Sequence, residues 1–187
     1  MTAPQTSTAA DMPAPTQWVA DAAVLHPGAR VLGWLTDPGL LTERVSMRCG
    51  GDSALRVVDQ RRERLPQADA DALGIDGPAV FVREIELVCA SAVSVFAQTL
   101  VPLATLEAQP WLAELGDEAL GHRLARTGDA LLASIEFALL LPGDALRARA
   151  LRHRPQTRDA LWARRKRYRL GGRLLVVQEV FLPETVR

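Results

Sequence analysis

A two-residue link between strands leaves no room for a parallel crossover, and this chain has such links between its most strand-like segments. AVFVREIELVCA and VSVFAQTLVPLATL are separated by a short turn near Ala90–Ala92, and LWARRKRYRL and RLLVVQEVFLP by Gly171-Gly172. All four are rich in β-branched and apolar residues, so each pair is expected to fold as an antiparallel hairpin. ALRVVDQRRERL and LLASIEFALLL read as two more strands. Helical signals are fewer and shorter. PGARVLGWLTDPGLLTERVSMRC reads as two helices joined at the breaker Asp37-Pro38-Gly39, and QADADALGIDG as a polar connector with one helical turn. PWLAELGDEALGHRLAR is the strongest helix candidate, with Asp117 as a candidate cap for its second half. Strands outnumber helices and are joined mostly as hairpins. The expected class is α+β, an antiparallel β-sheet with flanking helices.

Two charges do not fit the strands that carry them. Side chains alternate across a strand, so Leu175, Val177, Glu179 and Phe181 share one face, as do Phe81, Arg83, Ile85 and Leu87. Each set is apolar apart from one charge. The opposite face of the second strand carries Glu84 and Glu86 and is expected to be partly wet. Two readings fit Arg83 and Glu179. They form a buried ion pair, since an isolated buried charge costs several kcal/mol. Alternatively both project into a pocket, where the arginine fork suits a planar carboxylate and the glutamate faces the ligand's other end.

The span from Arg147 to Arg173 holds eleven of the chain's twenty-two basic residues and one acid, Asp159. Its RRKRYR stretch resembles a phosphate-binding patch. Against that, aromatic content there is low, alternate strand residues face opposite ways, and the whole chain has no net charge. No nucleic-acid partner is expected. Residues 1–24 begin MTAPQTSTAADMPAPT, without a basic or apolar leader, and are expected to be a disordered tail before one domain over 25–187. No apolar run is long enough for stable membrane insertion. Cys49 and Cys89 form no CxxC pair and are expected to be small buried groups in a reducing cytoplasm. His26, His122 and His153 lack metal-ligand spacing, and no Gly-x-Ser-x-Gly elbow or Gly-Lys-Ser/Thr loop occurs. A reaction without cofactor or metal is the expectation.

Several segments together resemble the chorismate pyruvate-lyase (4-hydroxybenzoate synthase) family. They are WLTDPGLLTERV, FVREIELVCA with FAQTLVPLATL, ALGHRLA and LWARRKRYRLGGRLLVVQEVFLPE, collinear from about Trp34 to Pro183. The final hairpin is the most specific of them. The resemblance implies an antiparallel sheet with helical flaps over a buried ligand pocket. It also implies a cofactor-free lyase that converts chorismate to 4-hydroxybenzoate and pyruvate at the entry to ubiquinone biosynthesis. By the same resemblance Arg83 holds the ring carboxylate, Glu179 meets the ring hydroxyl, and Leu41 and Leu120 line the flapped pocket, with Arg83 and Glu179 the catalytic pair. Plain core packing is the alternative for the two leucines. The chain departs from the family's common pattern at Leu40, Gln98 and Lys166, and Arg164 or Arg165 are candidates for the enolpyruvyl carboxylate.

A ligand sensor on the same scaffold is the rival reading. It would call for a helix-turn-helix domain, which the polar stretch before Leu25 does not resemble. Oligomeric state is open, with a monomer as the working expectation.

Overall fold

The structure is a computed structural model that describes residues 16–154 and 156–186. Both expected hairpins form, and their register organises everything else. In chain order the elements are α1 (Ala29–Thr36), α2 (Leu41–Arg48), β1 (Ser53–Arg64), α3 (Gln67–Leu73), β2 (Ala79–Cys89), β3 (Ala92–Pro102) and α4 (Leu103–Ala108). They continue with α5 (Leu120–Thr127), β4 (Ala130–Leu140), α6 (Ala145–Ala150), β5 (Leu161–Leu170), β6 (Arg173–Phe181) and α7 (Pro183–Val186). The six strands make one sheet in the order β1-β2-β3-β6-β5-β4, antiparallel throughout. The β5–β6 turn has φ of +54° at Gly171 and +80° at Gly172, the left-handed pair that a twisted two-residue hairpin requires and glycine supplies without strain.

Alternation sorts the core into two layers. On one face Phe81, Val101, Leu175 and Val177 pack with Leu120 and Leu124 of α5, and Leu87, Val95 and Phe181 pack with Trp34, Leu35 and Val45 of α1 and α2. On the other face Val80, Val82, Leu100 and Val176 meet α3. Beside them Phe96, Ala138, Ala163 and Val180 meet Ala150 of α6.

Three expectations change. The face of β2 that carries Glu84 and Glu86 is not wet: the two are 2% and 1% exposed. Cations from β1, α6 and the turn after α6 converge on Glu84, with Arg61 at 3.2 Å, Arg149 at 3.0 Å and Arg152 in direct contact, while Gln98 donates at 3.0 Å. The strongest helix candidate is interrupted. A 3₁₀ turn over Pro110–Ala113 gives way at Gly116, where φ is +54°, and α5 begins only after Ala119, with no side-chain cap from Asp117. Finally, Cys49 and Cys89 are not free but joined by a disulfide with a Cα–Cα distance of 5.6 Å. Sequence spacing hid this because their proximity is made by register: β1 starts just after Cys49, and its Ser53 lies opposite Cys89.

Part of the expected tail is held to the sheet. Val19 forms a β-bridge with Phe137, Trp18 lies under the Arg165 guanidinium at 4.4 Å, and Ala22 is buried. The remainder of that segment, residues 1–15, lies outside the described residues. No helix among the described residues is long and apolar enough to cross a membrane.

Glu84 makes acid stability testable. Burial alone would raise its pKa, but Arg152, Gln98, Arg61 and Arg149 outweigh that and hold the carboxyl at about 2. Its contribution is therefore complete above the unfolded-state value of about 4.3 and is lost as the pH falls through about 2. Glu84→Ala is expected to cost about 3–5 kcal/mol at pH 7, because it leaves buried cations unpaired. It should also flatten the fall of melting temperature with pH in that acid range, which a series of thermal melts would read.

Candidate active site

Register lays out the floor of a pocket on the α1–α2–α5 side of the sheet. Arg83 stands opposite Thr99, Thr99 opposite Val177, and Val177 opposite Lys166, so the four form one row across β2, β3, β6 and β5. The next row on the same face runs Ile85, Ala97, Glu179, Arg164. Arg83 and Glu179 are thus two strands apart and one row apart. Strand spacing and rise put their Cα atoms about 10 Å apart across the sheet and about 7 Å along it. The floor between them is made by Ile85, Ala97, Thr99 and Val177, and above it is room for a six-membered ring. The cavity over this floor is about 250 Å³.

The roof comes from two segments. One runs from the turn between α1 and α2 into the start of α2 and brings Pro38 through Thr42; the other is α5 with the residue before it, which brings Ala119, Leu120, Gly121, Leu124 and Ala125. Leu41 and Leu120 therefore both line the cavity, half-buried and buried respectively. The two roof segments are fastened to each other. Thr42 Oγ1 and His122 Nε2 share a hydrogen bond of 2.9 Å, and a Cβ on Gly121 would stand 3.2 Å from a methyl of Leu40.

A buried arginine pins each segment to the sheet. Arg83, 2% exposed, donates from Nη2 to the carbonyls of Gly116 at 2.8 Å and Glu118 at 3.1 Å, which steers the chain into α5. Arg164, wholly buried, donates from Nη1 to the carbonyls of Trp34 and Leu35 at 3.3 Å and of Asp37 at 3.0 Å, where the end of α1 leaves carbonyls unpaired.

The two arginines differ in charge balance. Arg164 Nε donates to the Glu179 carboxylate, so that pair is neutral. Arg83 pairs with no carboxylate of the described residues, and its buried Nε has no partner among them. Burial pushes its guanidinium below the ordinary range, and the field of Asp117 offsets only part of that. A guanidinium is not deprotonated by such a shift, so a full positive charge persists at the pocket floor.

The alternative of a structural Arg83–Glu179 pair is therefore not realised, since Glu179 has taken Arg164. This also corrects the expectation for the basic hairpin strand. Arg164 is paired with Glu179 and does not line the cavity, although its buried Nη2 has no partner among the described residues, and Arg165 faces the opposite side of the sheet, at 2.9 Å from Glu136 and over Trp18. The residues of β5 that line the pocket are Lys166 and Tyr168. Alternation applied to LWARRKRYRL puts Arg164, Lys166 and Tyr168 on one face, so the signal was present within the charge run. Burial and the field of Glu179 raise the Tyr168 phenol to about 12, with Arg164 opposing, so it remains a hydroxyl. The basic cluster as a whole does not form an open cationic surface. Arg147 binds the carbonyls of Thr157 and Asp159, Arg149 and Arg152 serve Glu84, and Arg165 and Arg167 share Glu136.

A six-stranded antiparallel sheet with a pocket under helical segments defines a class of α+β domains. The effector domain of PhnF from Mycobacterium smegmatis superposes on it with a TM-score of 0.56. That match is 18% identical in sequence and covers 78% of this chain and 90% of that one, a likeness of fold alone. Within the class, the sequence profile of the family described as chorismate lyase matches residues 12–187, and the chain belongs to that family. Curated relatives agree. A probable chorismate pyruvate-lyase of Aromatoleum aromaticum (strain DSM 19018 / LMG 30748 / EbN1) is 38% identical over 159 residues, covering 83% of this chain and 85% of the relative. Another, from Burkholderia pseudomallei (strain 1710b), is 37% identical over 155 residues, covering 81% and 82%.

The ion pair under the roof generates a stability test. Arg164→Met leaves Glu179 buried without its cation and frees the carbonyls of Trp34, Leu35 and Asp37 at the end of α1, which should cost about 3–5 kcal/mol. Arg164→Met combined with Glu179→Leu should recover a large part of that loss in chemical denaturation, because two apolar groups replace the pair.

Proposed function

We propose that this protein splits chorismate into 4-hydroxybenzoate and pyruvate. The observation that carries the reading is the buried Arg83 guanidinium without a carboxylate, facing Glu179 across a ring-sized cavity. A ring whose carboxylate sits on Arg83 and whose para hydroxyl reaches Glu179 fills that geometry. Arg83 retains donors beyond those it gives to Gly116 and Glu118, so it accepts the ring carboxylate without releasing the segment before α5. Glu179, oriented by Arg164, accepts a hydrogen bond from the hydroxyl. Leu41 and Leu120 close on the ring from the two roof segments and exclude water.

Chorismate already contains the drive for this reaction, because loss of the enolpyruvyl group makes the ring aromatic. The protein's task is to hold the ring so that the C4 hydrogen departs while the C3–oxygen bond breaks. Fixing such a geometry removes several kcal/mol from a barrier. The reading assigns no step to a cofactor or metal. It places the protein in the cytoplasm as a monomer acting on a small molecule, with neither a nucleic-acid nor a membrane partner. A pocket that grips an aromatic acid this closely also makes product release the slow step.

Purified protein incubated with chorismate should release 4-hydroxybenzoate and pyruvate in equal amounts. Arg83→Met should cut kcat/KM roughly 100-fold or more, the equivalent of about 3 kcal/mol, while melting within a few degrees of the parent. Its removal takes away an uncompensated buried charge, not half of an ion pair. Binding of chorismate without product would instead identify a sensor.

A further inference from the structure

The proposed substrate carries two carboxylates, and Arg83 holds one. Among the described residues, the pocket is lined by two cations, Arg83 and Lys166. Lys166 is 9% exposed and forms no hydrogen bond or ion pair with a described residue. It closes the row that begins at Arg83, three strand spacings or about 14 Å away at the Cα atoms. Glu179 lies in the adjacent row, one strand in from Lys166 and neutralised by Arg164. Burial pushes the ammonium below the ordinary lysine range; Glu179 pushes it back up, Arg164 lowers it and Asp37 raises it. The pocket therefore holds two cations and one internally balanced pair, an excess of two positive charges facing a dianion.

We propose that the Lys166 ammonium receives the carboxylate of the enolpyruvyl arm, the group that departs as pyruvate. This inference rests on the reaction proposed above. With the ring carboxylate on Arg83 and the C4 hydroxyl on Glu179, the C3 ether is the hydroxyl's immediate neighbour. Its carboxylate is thereby delivered to the β5 side of the pocket, beside the internally balanced Arg164–Glu179 pair, and calls for a lining cation that is not already paired. Lys166 is that cation, one strand over on β5, with a flexible stem that follows the arm. Negative charge that builds on the arm as the C3–oxygen bond stretches faces the same ammonium. The monoanionic product 4-hydroxybenzoate has no arm and makes no use of it.

The test compares the two ligands. Initial rates with chorismate and calorimetric binding of 4-hydroxybenzoate are measured for the parent, Lys166→Met and Lys166→Arg. Lys166→Met should raise the KM for chorismate roughly 10- to 100-fold, the worth of one charged hydrogen bond. Its Kd for 4-hydroxybenzoate should stay within about threefold of the parent. Lys166→Arg should keep most of the chorismate affinity, and it carries the comparison with Lys166→Gln if the methionine variant does not fold. An unchanged KM, or equal weakening of both ligands, would overturn the assignment of Lys166 while leaving the lyase reading intact. Absence of product from the parent would overturn the lyase reading, and this inference with it.

Discussion

Arg83 keeps a full positive charge where water barely reaches, and its hydrogen bonds among the described residues go to two backbone carbonyls. Carbonyl dipoles lessen the cost of burying a guanidinium but do not cancel its charge. The surrounding fold is arranged to keep it in place. Strands on both sides hold β2, and the chain ahead of α5 turns at Gly116 to aim carbonyls inward. Arg164 does the matching work for the other roof segment, and the Thr42–His122 hydrogen bond ties the two together. The pocket is the space enclosed when both arginines have drawn helix ends toward the sheet. In the proposed reaction, the ring carboxylate is what completes the charge balance left open at Arg83.

The opposite face of the same strand meets a buried charge with the reverse strategy. Glu84, one residue along from Arg83, is surrounded by Arg61, Arg149, Arg152 and Gln98 and leaves nothing for a ligand to supply. That face is closed by α3 and α6 and serves stability. One sheet therefore carries a fully neutralised side and an under-neutralised side, and the under-neutralised one is the side with the cavity. On it, an internally balanced pair, Arg164 with Glu179, occupies the row beside the one whose ends are Arg83 and Lys166.

Strand pairing was legible from sequence because the links at Ala90–Ser91 and Gly171-Gly172 are too short for any other arrangement. The same alternation singled out Arg83 and Glu179, since a lone charge among apolar neighbours is visible at period two. What stayed hidden depends on contacts between distant segments. Nothing local marks Glu84 as a buried hub, because its partners arrive from β1, β3, α6 and the turn after α6; the Arg164–Glu179 pair, by contrast, is set by the register of the Gly171-Gly172 hairpin. The break at Gly116 overrode a continuous helical pattern once Arg83 required carbonyls there. The Cys49–Cys89 disulfide likewise follows from the β1–β2 register, which spacing along the chain does not reveal.

The orientation of a bound aromatic acid tests the central claim most directly. A crystal structure of the protein with 4-hydroxybenzoate should place the ligand carboxylate on Arg83 and its hydroxyl beside Glu179, with Leu41 and Leu120 against the ring. A ligand bound in the reverse sense would contradict the account. So would one seated in the neighbouring cleft lined by Ser46, Ser53 and His122. In either case the open charge of Arg83 would not be what the pocket is built around.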